Sequence, residues 1–110
     1  MALPTLVTGD DIQMLVTLLK DGATFNINAG ATVHARLIDV GKENPYMDAI
    51  VQSNTAPGAD WPNSLVTVEF ASADTADIAY QGPALLEVQV DDNGKSTWFE
   101  TVQISGDTIP

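Results

Sequence analysis

One histidine, His34, and fifteen carboxylates are the side chains through which this chain could do acid–base or metal chemistry. A transition-metal site needs imidazole or thiolate donors, and with no cysteine and no second histidine His34 could recruit only carboxylates. It is read as a surface or half-buried structural residue. A serine hydrolase would need a serine presented to His34, and there is no Gly-x-Ser-x-Gly elbow to present one. Asp91-Asp92-Asn93-Gly94 looks superficially like the start of a calcium loop, but the bidentate glutamate such a loop requires is replaced by the alternating run around Trp98 and Phe99. A hairpin turn is the expectation there. Fifteen acids can be paired in too many ways for any pair to mark a glycosidase site. The chain is therefore expected to be non-enzymatic and to need no cofactor or metal.

Binding chemistry is better represented. Trp61, between Asp60 and Pro62, is a large aromatic in the longest irregular stretch, Ser53 to Asn63. Such a residue can anchor a protein partner or stack on a sugar ring, or it can fold back and cap the core. Trp61, Tyr46 or Tyr80 could serve as a stacking platform, which makes a carbohydrate-binding module the alternative function. The apolar arm Leu3-Pro4-Thr5-Leu6-Val7 is a second candidate contact, because a free terminus of this composition gains by packing on a neighbour. Leu3, Pro4, Leu6, Val7, Trp61 and Phe99 are the candidate protein-interface residues.

Charge narrows the partners. Fifteen acidic residues against Lys20, Arg36, Lys42 and Lys95 give a net charge of -11. Nucleic acid and anionic membrane are recognised by clustered lysine and arginine, so neither is an expected partner. Acidity spread along the chain also favours solubility. No run approaches the roughly 20 apolar residues of a membrane helix, and the amino terminus lacks the basic start and apolar stretch of a secretion signal. Synthesis in a reducing cytoplasm suits the absence of cysteine.

The elements that must position these residues are short and alternating. At 110 residues the chain has room for one domain. The organisation expected is an arm over 1–8, a β-sandwich over 9–106 and a tail over 107–110. Ile12, Met14, Val16 and Leu18 fall on alternate positions, as in a strand. Leu15 and Leu19 populate the opposite face, which suggests a strand covered on both sides or occupied by a neighbouring subunit. A helix capped by Asp10 competes for Asp10 to Lys20.

After the turn Lys20-Asp21-Gly22-Ala23, Thr24 to Ile27 reads as a short strand. Thr32 to Val40 reads as another, with Val33, Ala35 and Leu37 on one face. Tyr46 to Gln52 reads as a further strand, and Ser53 to Asn63 as an exposed loop. Leu65 to Phe70 alternates strictly, with Val66, Val68 and Phe70 inward. Ser72 to Ile78 fits one helical turn crossing between sheets.

The last two strands flank Asp91 to Gly94, whose Asn-Gly pair readily adopts the positive φ of a tight hairpin. Trp98 shares phase with Val102 and Ile104 and is expected inside, leaving Phe99 partly exposed on the other face. About seven strands at this spacing, with one short helical turn, predict an all-β, immunoglobulin-like antiparallel β-sandwich.

The order Gly9-Asp10-Asp11, strand, Lys20-Asp21-Gly22-Ala23, then Ile27 through Gly30-Ala31-Thr32-Val33-His34-Ala35-Arg36-Leu37 resembles the immunoglobulin-like domains of tailed-phage virion proteins, such as the amino-terminal domains of baseplate upper proteins and head-fibre components. Ser72-Ala73-Asp74-Thr75-Ala76, Gly82 before a strand and Asp92-Asn93-Gly94-Lys95 are similar too. The resemblance runs from Gly9 to Ile104. It implies a structural role in the virion, with capsid or tail proteins as partners, a homo-oligomer as a possible form and no catalytic residues. The chain departs from the group in its Pro57 to Asn63 loop, which is longer, and in ending at Pro110 without a receptor-binding extension. Those departures shift the expectation toward a small decoration or adaptor module.

Overall fold

The computed structural model describes residues 4–106. Leu3 and the tail 107–110 lie outside the described residues. Seven strands form: β1 (Thr5–Val7), β2 (Ile12–Thr17), β3 (Thr32–Ile38), β4 (Ile50–Gln52), β5 (Leu65–Phe70), β6 (Gly82–Asp91) and β7 (Lys95–Ser105). One α-helical turn, α1 (Ser72–Thr75), and one 3-10 turn over Trp61–Asn63 are the remaining elements among the described residues. Five strands make one sheet in the order β1-β7-β6-β3-β4, and β2 and β5 make a second. The second and fifth strands share the small sheet while the third, sixth and seventh share the large one, the immunoglobulin-like arrangement of a β-sandwich.

Alternation in the sequence becomes inward and outward faces. Val33, Ala35 and Leu37 of β3, Ala84, Leu86, Val88 and Val90 of β6, and Val102 and Ile104 of β7 are buried from the large sheet. Ile12 and Val16 of β2 and Val66, Val68 and Phe70 of β5 meet them from the small one. Each large apolar side chain so removed from water contributes about 1.5–3 kcal/mol, and that summed burial holds the two layers together. The β6–β7 hairpin closes through Asp92, Asn93 and Gly94, with φ of 58° at Asn93 and 144° at Gly94. Asn28 donates a side-chain hydrogen bond to Asp92 Oδ2 at 2.7 Å.

Several expectations are corrected. The competing helix over Asp10 to Lys20 does not form, because the strand expected from Ile12 onward is β2, Ile12–Thr17, paired along its length with β5. The arm is folded: Thr5, Leu6 and Val7 pair with Gln103, Ile104 and Ser105 of β7, and Thr8 N–H continues to the Ser105 carbonyl. This pairing is parallel, so the sandwich is not wholly antiparallel.

Thr24 to Ile27 is irregular, because Ile27 N–H is spent on the Trp61 carbonyl at 2.8 Å and not on a neighbouring strand. The strand expected over Tyr46 to Gln52 shrinks to Ile50–Gln52. Tyr46 N–H is bonded to the Leu37 carbonyl just after Pro45 makes an isolated bridge to Ile38, and the chain bends away before pairing resumes. The Ser53 to Asn63 loop is not exposed throughout, since Ala56 and Trp61 are buried.

α1 links the sheets as its composition predicts. Thr75, fully buried, accepts from Gly9 N–H at 3.1 Å and donates to the Asp10 carbonyl at 3.0 Å, fastening the crossing to the turn before β2.

Candidate functional site

Backbone pairing decides where another molecule could attach, because an unpaired strand edge is a row of donors and acceptors. The edges differ. β1 and β4 are three residues each, too short to offer much. The outer edge of β5 is sealed: buried Gln52 accepts Glu69 N–H at 2.7 Å, Leu65 and Asp60 exchange two backbone bonds, and Thr67 Oγ1 donates to the Pro57 carbonyl. Against these, six-residue β2 has β5 on one side and, among the described residues, no strand on the other.

The register fixes which groups are bare. Leu18 N–H donates to the Ser64 carbonyl, and Val16, Met14 and Ile12 lie opposite Val66, Val68 and Phe70. Antiparallel ladders bond at alternate residues, so the N–H and C=O of Gln13, Leu15 and Thr17 point away from β5. Their side chains share the outward face, where Leu15 is 59 % exposed and lies across Gly58. Gly58 has φ of +84°, and a Cβ there would sit 2.8 Å from Leu15 Cδ2, so glycine serves both the turn and the leucine.

Beside this edge lies a groove of about 210 Å³ lined by Val16 to Leu19, Leu86, Val88, Trp98, Phe99 and Glu100. It exists because β1 covers β7 only over Gln103–Ser105, leaving the earlier part of β7 without a neighbour on that side among the described residues. Trp98 closes its far end. The indole N–H donates to the Leu19 carbonyl at 2.9 Å, and the ring stacks on Phe25 at 5.5 Å. Lys20 Nζ sits 4.7 Å from the Phe25 ring centroid on the same stack. Glu100 pairs with buried Leu86 and so shares its inward phase, yet it is exposed, since among the described residues no strand lies over it.

The candidate residues from the sequence separate into two groups. Leu3 lies outside the described residues. Pro4 is exposed and its carbonyl accepts Gln103 N–H at 2.8 Å, whereas Leu6 is 3 % exposed and belongs to the core. Val7 is half-buried. The arm therefore spends its apolar residue within its own chain. Trp61 is 5 % exposed, which corrects its reading as an exposed anchor: its carbonyl is tied to Ile27 and to Ser64 N–H, and its ring joins the core. Its indole N–H is buried without a partner among the described residues.

Phe99 is 39 % exposed on the outer face, as its phase predicts, with Lys42 Nζ 4.2 Å from the ring centroid. The three aromatics named for sugar stacking lie in two places. Tyr46 and Tyr80 stack on each other at 4.6 Å, beyond the end of β3, while Trp61 packs near its start. Burial and the nearby Tyr80 and Asp39 push the Tyr46 phenol above its ordinary value.

His34 sits on the outer face among Arg36, Glu87 and Gln89, where Glu87 accepts two bonds from Arg36 at 2.9 and 3.3 Å. Among the described residues no three His, Asp or Glu side chains are grouped to hold a metal ion, and no helix is long and apolar enough to cross a membrane. Sequence reasoning missed Gln52 and Ser64. Ser64 is buried with φ of 54°, and its hydroxyl donates to the Leu18 carbonyl at 2.6 Å. Neither has a motif that would have marked it. The chain matches no family model, no curated protein and no solved structure.

Proposed function

We propose that the protein is a non-enzymatic structural component of a tailed-phage virion, a small decoration or adaptor module that docks on repeated sites of the capsid, tail or baseplate. The observation that carries this reading is the open flank: among the described residues neither β2, with Leu15 at 59 % and Leu19 at 48 % exposure, nor the part of β7 before Gln103 has a strand on its outer side, whereas the long edge of β5 is closed by Gln52. An edge left bare is a liability to a free protein and an asset to one that assembles. The turn order that resembles phage immunoglobulin-like domains supplies the virion context, and the same turns build the strand order described above.

The mechanism is burial of a modest apolar and hydrogen-bonding surface at each copy. A lattice of many identical sites makes such an interface sufficient, because linked copies raise one another's effective concentration. Acidic outer faces remain in water and keep unassembled copies apart. A virion component is made in the host cytoplasm, which suits a fold that depends on its core and has no cysteine.

Cosedimentation tests the reading. Purified chain mixed with intact particles, and separately with tailless heads, is expected to pellet with at least one of them to saturation. A chain that stays in the supernatant with both is not a docking module of that virion.

A further inference from the structure

We propose that the free edge of β2 takes up an extended segment of a partner protein as an added strand, with an apolar side chain entering the groove beside Trp98 and a basic side chain meeting Glu100. This rests on the attachment reading above and names the mode and chemistry of attachment.

Three observations carry it. The first is directional: Gln13, Leu15 and Thr17 aim their backbone groups away from β5, so an incoming strand finds a ladder of matching period. Trp98 already occupies the Leu19 carbonyl, which sets where that ladder stops. The second is size. At about 210 Å³ the groove is smaller than the roughly 300–1,000 Å³ of sites that enclose a drug-sized ligand, and its walls at Leu18, Leu86, Val88 and Trp98 suit a single apolar side chain.

The third is charge. Glu100 is the one charged residue lining the groove, held at an inward register beside apolar neighbours. A basic residue of the incoming strand would neutralise it. A second copy of this chain is the poorer occupant, since each copy carries a net charge of -11 and has only four basic residues.

Synthetic peptides of about seven residues, alternating valine and threonine, N-methylated at alternate positions to prevent self-assembly, and carrying lysine, serine or glutamate at one position, are suitable probes. The lysine peptide is expected to bind about tenfold or more tightly than the glutamate peptide. It should also slow amide exchange at Gln13, Leu15 and Thr17 but not at the sealed β5 edge. Glu100→Lys should invert the peptide preference. Leu15→Pro removes only an outward N–H and should abolish uptake; if it does not fold, the Glu100→Lys inversion decides.

Equal binding of the three peptides, protection elsewhere, or no binding overturns the proposal. Protection of the same amides by self-association of the chain assigns the edge to a second copy, and uptake that requires deletion of residues 1–3 assigns it to the chain's own amino terminus. Either result also overturns it. Particle cosedimentation that survives Glu100→Lys and Leu15→Pro refutes strand addition while leaving the virion reading intact. Peptide uptake with no particle binding does the reverse.

Discussion

The indole N–H of Trp98 on β7 donates to the carbonyl of Leu19, just past β2, at 2.9 Å, joining the two sheets across a flank that no strand closes among the described residues. Trp98→Phe keeps most of the ring on Phe25 but removes this bond. The expected loss is about 0.5–1.5 kcal/mol by urea denaturation, the net worth of one hydrogen bond near solvent. A loss several times larger would mean that the indole carries packing beyond the described stack.

Trp61 presents the opposite case, a buried indole N–H without a partner among the described residues. Trp61→Phe discards the unmet donor and keeps an aromatic ring, so stability should change by less than about 1 kcal/mol or rise. Trp61→Ala empties the site and should cost about 3–5 kcal/mol. Thermal or urea unfolding of the pair separates the two effects, and equal losses would show that the N–H is satisfied in solution.

Gln52 is the lid on the β5 edge. Gln52→Ala leaves Glu69 N–H without its 2.7 Å acceptor and should cost about 1–3 kcal/mol. It also bares the β5 edge. Light scattering should therefore report faster aggregation than for the parent, and an unchanged rate would argue that the Pro57 to Asp60 loop seals β5 alone.

Asp39 accepts backbone bonds from Glu43 and Asn44 at 2.7 and 3.0 Å, and those from Asn44 and then Glu43 lower its pKa below the ordinary 3.8. A carboxylate with a depressed folded-state pKa contributes stability above its unfolded value and loses it as pH falls through the folded one. Asp39→Asn should consequently lower the melting temperature at neutral pH, and the difference should shrink as pH drops below 3.8. A difference independent of pH would show that the loop is held by shape and not by the charge.

Much of the fold was legible because one-sided burial writes itself into alternation. Leu65 to Phe70 became β5 with the expected inward residues, and the Asn93-Gly94 turn and the opposed phases of Trp98 and Phe99 emerged as spacing implied. Thr5 to Val7 gave no such signal, since three residues cannot name a partner and parallel pairing to β7 is set about a hundred residues away. Trp61 looked like a loop residue because its neighbours are turn formers, while the backbone bond to its carbonyl comes from Ile27 and the core it joins is drawn from strands far off in sequence. The open edge did leave a mark: Leu15 and Leu19 on the outward phase of β2 are the apolar residues the sequence could not place. Only the absence of a neighbouring strand among the described residues explains where they sit.

The central claim is that this sandwich is a part of a particle. Quantitative mass spectrometry of gradient-purified virions measures it most directly: the chain should band with the particles at a fixed, multiple copy number relative to the major capsid protein. A chain found only in the unassembled fraction at the top of the gradient would contradict the account.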